Sequence, residues 1–201
     1  MAWQLPGAHK GAIVLAGVYL AAIVGKWQWV KYAVKPAVTL LAAWPTRRGG
    51  SRGVFAGLLF SAVGDVCLMI PGDAMFVPGL VSFLAAHVLY TASFRARMRL
   101  SWAAVPLGAF AAAMALRLQP GVAREGGVMQ AGVAVYISAI IAMAYKATLT
   151  GNAVLTAGSL LFCVSDALLA WAKFVRPHAW SELGVMSTYY AAQLCIAAAH
   201  S

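Results

Sequence analysis

Residues 57–69 read GLLFSAVGDVCLM, an apolar run with one carboxylate, Asp65, and no other charged side chain between Arg52 and Asp73. The run belongs to a chain of 201 residues that is 63% hydrophobic and 10% charged, with a mean hydropathy of +0.81. A water-soluble fold cannot bury that much apolar surface, and a typical soluble domain carries about a quarter charged residues. Similar apolar stretches recur along the whole length, divided by short segments holding Arg, Lys, Gly and Pro. The pattern predicts an all-α, polytopic transmembrane bundle. A transmembrane barrel would need alternating polar positions, and the strands' alternation is missing.

The expected spans are 11–26, 29–45, 54–70, 76–94, 100–116, 127–145, 153–174 and 183–200, eight helices joined by loops too short to hold a soluble domain. Residues 1–201 therefore read as a single integral membrane domain. Several spans approach the lower limit of roughly 17 residues needed to cross the hydrocarbon, the second and fifth being the weakest. The first apolar segment runs into GKWQWVKY with no small-residue cleavage site, so it is expected to be a retained helix and not a signal peptide.

An even number of spans puts both termini on one side. With the termini inside, Lys10, Arg47, Arg48, Arg52, Arg95, Arg97, Arg99 and Lys146 face the cytoplasm. Lys26, Arg117, Arg124, Lys173 and Arg176 then lie outside with the loop acids Asp73, Glu125 and Glu182. The excess of basic residues inside favours cytoplasmic termini, in the inner membrane if the cell is bacterial. The net charge of +10 suits anchoring to anionic lipid headgroups. It is dispersed over short loops, with no basic helix or aromatic-interleaved stripe, so nucleic acid is not an expected partner. Cys67, Cys163 and Cys195 fall inside spans without ligand spacing, which argues for apolar packing and against a disulfide framework or zinc site. No metal or cofactor is expected, and the sequence leaves the oligomeric state open.

An ionisable group near the bilayer centre costs roughly 2.5–3.5 kcal/mol on insertion scales, so it is seldom kept without a partner or a task. The candidates are Lys31 and Lys35 in span two, Asp65 in span three, His87 in span four and Asp166 in span seven, with Tyr190 and Gln193 in span eight. GLLFSAVGDVCL (57–68) aligns with GSLLFCVSDALL (158–169) at an offset of 101, pairing Gly57 with Gly158, Val63 with Val164 and Asp65 with Asp166. The offset is half the chain, and spans three and seven run in the same direction, which permits two parallel four-helix halves. Counting at 1.5 Å per residue puts both aspartates about two thirds of the way along their spans, in one slab with Lys35, His87 and Gln193. Gly57, Ser61, Gly64 and Asp65 share a small-residue face of span three, while Gly79, Phe83, His87, Tyr90 and Phe94 share an aromatic face of span four. The plainer readings are a His87 that hydrogen-bonds a neighbouring helix, a Lys31 that snorkels outward and a Lys35 that pairs with an aspartate or an anionic ligand.

These residues resemble the YhhN-like membrane protein family, which includes the lysoplasmalogenases. The resemblance rests on the Lys-Pro pair at Lys35 and Pro36, on GDxxL at Gly64, Asp65 and Leu68, and on FxxGxxxFxxxHxxY at Phe76, Gly79, Phe83, His87 and Tyr90. Further along stand GxxxFxxSDxxL at Gly158, Phe162, Ser165, Asp166 and Leu169, and YxxQ at Tyr190 and Gln193. The resemblance implies an eight-helix bundle and hydrolysis of the vinyl ether bond of lysoplasmalogens, releasing a fatty aldehyde and glycerophosphocholine or glycerophosphoethanolamine.

Vinyl ether hydrolysis is acid chemistry: a proton goes to the β-carbon, and water attacks the resulting oxocarbenium ion. Low dielectric favours a carboxyl that keeps its proton near neutral pH, while a second carboxylate stabilises the cation and orients water. Asp65 and Asp166 are the candidate pair, with the roles unassigned between them. Lys35 could keep one of them ionised or hold the phosphate, and His87, Tyr90, Ser165, Tyr190 and Gln193 are candidate supporting residues. The substrate and water would be the partners, with the alkenyl tail approaching between helices from the bilayer lipids. Rival readings are an ion- or proton-coupled transporter, which lacks here the paired Gly/Pro interruptions of broken helices, and a non-catalytic lipid-binding protein. An intramembrane aspartyl protease is disfavoured because Ala62-Val63-Gly64-Asp65 lacks the first glycine of GxGD.

Overall fold

Sequential apolar helices of bilayer length, joined by short turns, have to pack antiparallel to hide their polar residues, and that is the architecture observed. The computed structural model describes residues 6–47, 51–72 and 74–201. Arg48 and Asp73, counted above in the charge distribution, lie outside the described residues. The helices are α1 (Gly7–Val24), α2 (Gln28–Thr46), α3 (Arg52–Met69), α4 (Phe76–Ser93), α5 (Ala104–Val122), α6 (Gly127–Leu149), α7 (Ala153–Phe174) and α8 (Ser181–Ala198). A single 3-10 turn, Ala123–Glu125, separates α5 from α6.

Five helices, α1, α3, α4, α6 and α7, are long and apolar enough to cross a bilayer. The other three carry more polar side chains, Lys31 and Lys35 on α2, Arg117 and Gln119 on α5, and Glu182 and Gln193 on α8. Outward-facing side chains are apolar, among them Val63, Val66, Val81, Val88 and Val164. Exposed Trp27, Trp29 and Trp180 ring one end of the bundle and Trp44 and Trp102 the other, as interfacial aromatics do. The chain is a multi-pass integral membrane protein.

The fifth helix departs from the expected 100–116. It starts four residues later and runs through Arg117 to Val122. Arg117 points outward, while Leu118 and Val122, one turn apart, are buried. Continuing the helix therefore buries two apolar side chains and leaves the guanidinium free to reach the interface.

Within each half the helices pack in sequence, α1–α2–α3–α4 and α5–α6–α7–α8, and the halves are joined by α4 against α6 and by α8 against α1, α2 and α3. The local repeat extends to the helix caps. Ser51 accepts a hydrogen bond from the Val54 amide at 3.3 Å, and Asn152, 101 residues on, accepts one from the Leu155 amide at 3.0 Å. Each satisfies an orphan donor at a helix start. Gly57 lies against the Tyr90 ring of α4, and its counterpart Gly158 lies where an added Cβ would stand 2.7 Å from Cβ of Cys195 on α8. Both aspartate helices thus use the same glycine to approach the helix that follows them.

Candidate active site

Asp65 sits four residues before the end of α3 and Asp166 eight before the end of α7. Both line one cavity of about 420 Å³, which opens at the end of the bundle where α3 turns into α4 and α7 into α8. Its wall also carries Tyr19, Lys35, Ser165, Lys173, Glu182 and Tyr189.

Asp65 is almost fully buried. Its Oδ2 accepts hydrogen bonds from Thr39 Oγ1 of α2 at 2.9 Å and from the Tyr189 hydroxyl of α8 at 2.8 Å. Lys35 Nζ stands 4.0 Å from Oδ1. Two hydroxyl donors and an ammonium compensate a carboxylate, so this aspartate has acceptor work for both of its oxygens.

Asp166 meets different chemistry. Tyr136 of α6 donates its hydroxyl to Oδ2 at 2.5 Å, and Nε2 of His87 on α4 lies 3.4 Å from the same oxygen. The other nitrogen of His87 is 2.7 Å from the Phe83 carbonyl oxygen. A carbonyl can only accept, so Nδ1 carries a hydrogen, and in a neutral ring Nε2 is left as a bare acceptor. No hydrogen bond satisfies that buried nitrogen otherwise. An acceptor nitrogen facing a carboxyl oxygen is stable only when one proton lies on the pair, on Asp166 or on His87.

Asp166 also borders a second cavity, apolar and narrow, of about 60 Å³, between α4, α5, α6 and α7. Phe76, Leu169 and Asp166 belong to both linings. The carboxyl thus stands at the seam between the larger, open cavity that carries the charged side chains and a narrow apolar one. A wall of edge-to-face rings, Phe83 to Tyr189 at 5.8 Å, Phe162 to Tyr189 at 5.5 Å and His87 to Phe162 at 4.7 Å between centroids, runs from the partner of Asp65 to the partner of Asp166.

Of the residues singled out in the sequence, Lys35, Asp65, Ser165 and Asp166 line the cavity and His87 stands directly behind Asp166. Ser165 donates to the Val185 carbonyl at 3.1 Å, tying α7 to α8. Tyr90 donates to Gln193 Oε1 at 2.9 Å and pairs with Ser61 Oγ at 3.2 Å, one to two turns below the aspartates. Tyr190 donates to the Lys35 carbonyl at 3.4 Å. Tyr90, Tyr190 and Gln193 hold helices together and do not line the cavity. The expected small-residue face of α3 is filled by α4, with Phe83 against Gly64 and Tyr90 against Gly57. Lys31 does more than snorkel, because its ammonium is 2.6 Å from Glu182 Oε1.

Thr39, Tyr136 and Tyr189, which touch the carboxylates, were missed. A hydroxyl in an apolar helix has no distinguishing pattern. One signal was available: Tyr136 stands 101 residues after Lys35, so the residue facing each aspartate from the preceding helix occupies the same place in both halves.

The fold and site define a helical integral membrane protein with one buried carboxylate, Asp65, and one partly buried, Asp166, on a shared cavity. Residues 27–200 match the family model described as the YhhN family, and the chain belongs to that family. It is 36% identical over 154 residues to Homo sapiens lysoplasmalogenase TMEM86B, covering 74% of this chain and 63% of that protein. It is also 36% identical over 157 residues to Bos taurus lysoplasmalogenase TMEM86A, covering 72% and 63%. Sus scrofa lysoplasmalogenase TMEM86B is 32% identical over 180 residues, covering 84% and 74%. The chain thus spans less than two thirds of the length of the human and bovine relatives. No solved structure matches it.

Proposed function

We propose that this protein hydrolyses the vinyl ether bond of alkenyl lysophospholipids, yielding a fatty aldehyde and a glycerophospho-headgroup, with Asp166 as the acid and Asp65 as the ionised partner. The observation that carries the proposal is the contrast between the surroundings of two carboxylates on one cavity. Asp65 has two hydroxyl donors and Lys35 around it, whereas Asp166 faces an acceptor nitrogen and borders an apolar space. The similarity to named lysoplasmalogenases supports the choice of substrate.

The arrangement suits the order of atoms in the substrate. The alkenyl tail enters the apolar cavity by parting α5 from α6 and α7, and the glycerol end lies in the polar one. The β-carbon, on the tail side of the double bond, then meets Asp166, which delivers the proton. Positive charge grows on the carbon and ether oxygen on the polar side, where Asp65 stabilises it and accepts a proton from the attacking water. The hemiacetal collapses to aldehyde and alcohol. Lys35, Thr39 and Tyr189 hold Asp65 as an anion and Tyr136 and His87 orient Asp166; after turnover Asp65 releases the proton it took from the attacking water, and Asp166 regains one through water in the shared cavity. Ser165, Tyr90, Tyr190 and Gln193 position the helices that present these groups. The chain acts as one membrane domain with both termini cytoplasmic, so the cavity mouth faces outward.

Purified protein in detergent should release aldehyde from an alkenyl lysolipid and none from its saturated-ether or ester analogues. Asp65→Asn and Asp166→Asn should each lower the rate by about 10²–10⁴-fold, the usual range for a positioned acid or base. Aldehyde release that survives both substitutions would remove the pair from the chemistry.

A further inference from the structure

At the cavity mouth Glu182, the second residue of α8, holds an unusual set of partners for a half-exposed acid. Lys31 Nζ lies 2.6 Å from Oε1 and 2.8 Å from Oε2, and the Tyr19 hydroxyl donates to Oε1 at 3.2 Å. Glu182 lines the same cavity as Asp65 and Asp166, and among the described residues it is the lining's one carboxylate besides that pair. It precedes Tyr189, the partner of Asp65, by seven residues on the same helix, roughly 10 Å along the axis. An extended glycerophosphoethanolamine, from ether oxygen to nitrogen, has a comparable length.

We infer that Glu182 and Lys31 form the receptor for a zwitterionic headgroup, an ammonium and a phosphate, through exchange of their own ion pair. This rests on the substrate reading above. The Lys31 ammonium stands where a ligand's ammonium would stand, forked on the carboxylate beside the Tyr19 hydroxyl. When a phosphoethanolamine group enters, its ammonium takes Glu182 and Tyr19, and the released Lys31 takes the phosphate. Two ion pairs replace one, and neither Glu182 nor Lys31 is left uncompensated. A primary ammonium can donate hydrogen bonds to both carboxylate oxygens, which a trimethylammonium cannot, so the site selects ethanolamine over choline.

The test compares kcat/KM for three alkenyl substrates: the glycerophosphoethanolamine, the glycerophosphate and the headgroup-free alkenylglycerol. In Glu182→Gln the ratio of ethanolamine lipid to glycerophosphate lipid should fall about 10- to 100-fold, the loss expected for a charged hydrogen bond. In Lys31→Met the ratio of glycerophosphate lipid to alkenylglycerol should fall by a similar factor. Because each ratio is taken within one variant, a general loss of folded enzyme cancels. Ratios that stay at the wild-type values in both variants, with aldehyde still produced, overturn the headgroup receptor alone. A wild-type protein that releases no aldehyde from any of the three overturns the proposed reaction, and the receptor with it.

Discussion

Asp65 and Asp166 stand at matched places in matched helices, 101 residues apart, each behind a capping side chain and a helix-packing glycine. From the helix before its own Asp65 takes Lys35 and Thr39 of α2 and Asp166 takes Tyr136 of α6, and each takes one more partner from the last helix of the opposite half, Tyr189 of α8 or His87 of α4. The places of the partners are repeated, and their chemistry is not. Lys35 becomes Tyr136, so a cation is exchanged for a phenol. Tyr189, which donates to Asp65, is answered near the equivalent turn by His87, whose free nitrogen accepts. The repeated helix therefore carries two carboxylates at one depth with unlike neighbours, and on the proposed mechanism that difference is what lets one hold a proton and the other a charge.

The comparison breaks most sharply if the two surroundings are made alike. Tyr136→Lys gives Asp166 the kind of neighbour that Asp65 has and removes its reason to keep a proton. We expect kcat for aldehyde release to fall about 100-fold, with KM changed far less; an unchanged kcat would refute the assignment of acid and base.

Lys35→Met tests the other side. It leaves a buried carboxylate with hydroxyl partners only, and the fold should lose about 3 kcal/mol, the low end for a broken buried pair because the ions are 4.0 Å apart. Adding Asp65→Asn in the same protein should recover most of that loss in thermal unfolding. Recovery by less than half would mean that Lys35 stabilises through something other than the aspartate.

The glycines should behave alike, since they do the same job in both halves. Gly57→Ala meets the Tyr90 ring and Gly158→Ala meets Cys195, and each should cost about 1–3 kcal/mol as overpacking does. A tolerant Gly158→Ala would show that the α7–α8 contact yields where the α3–α4 contact does not. Smallest of all, Tyr136→Phe removes its interhelical hydrogen bond to Asp166 and Tyr189→Phe its bond to Asp65 with a longer contact to Thr39, each bond about 0.6 kcal/mol on average in membranes. Detergent melts should therefore barely distinguish them, while aldehyde assays separate both from wild type.

Much of this was legible in the sequence. Apolar runs bounded by Arg, Lys, Gly and Pro mark eight helices, because only helices and closed barrels satisfy backbone groups in lipid and unbroken apolar runs do not suit a barrel. The fifth runs past the expected end at residue 116, since a guanidinium near a helix terminus can reach the interface while the turns beyond it bury Leu118 and Val122. Asp65, Asp166, Lys35 and His87 stood out because ionisable groups at that depth are costly. Tyr190 was singled out and Tyr189 passed over, since adjacent tyrosines differ only in the direction a helix turns them. By sequence Glu182 reads as a loop acid, and only its position at the start of α8 brings it over the cavity with Lys31 and Tyr19.

The amino-acid sequence by itself determined a helical membrane protein with two carboxylates repeated at one depth, because hydropathy and spacing are local properties that survive without a partner. Which hydroxyl, ammonium or imidazole faces each carboxylate was decided by tertiary structure alone. Those contacts join α2, α4, α6 and α8 across 26 to 124 residues of chain, and only the packing of the halves fixes which side chains meet there. GLLFSAVGDVCLM announces a carboxylate in the membrane, and the helices packed around it determine what that carboxylate does.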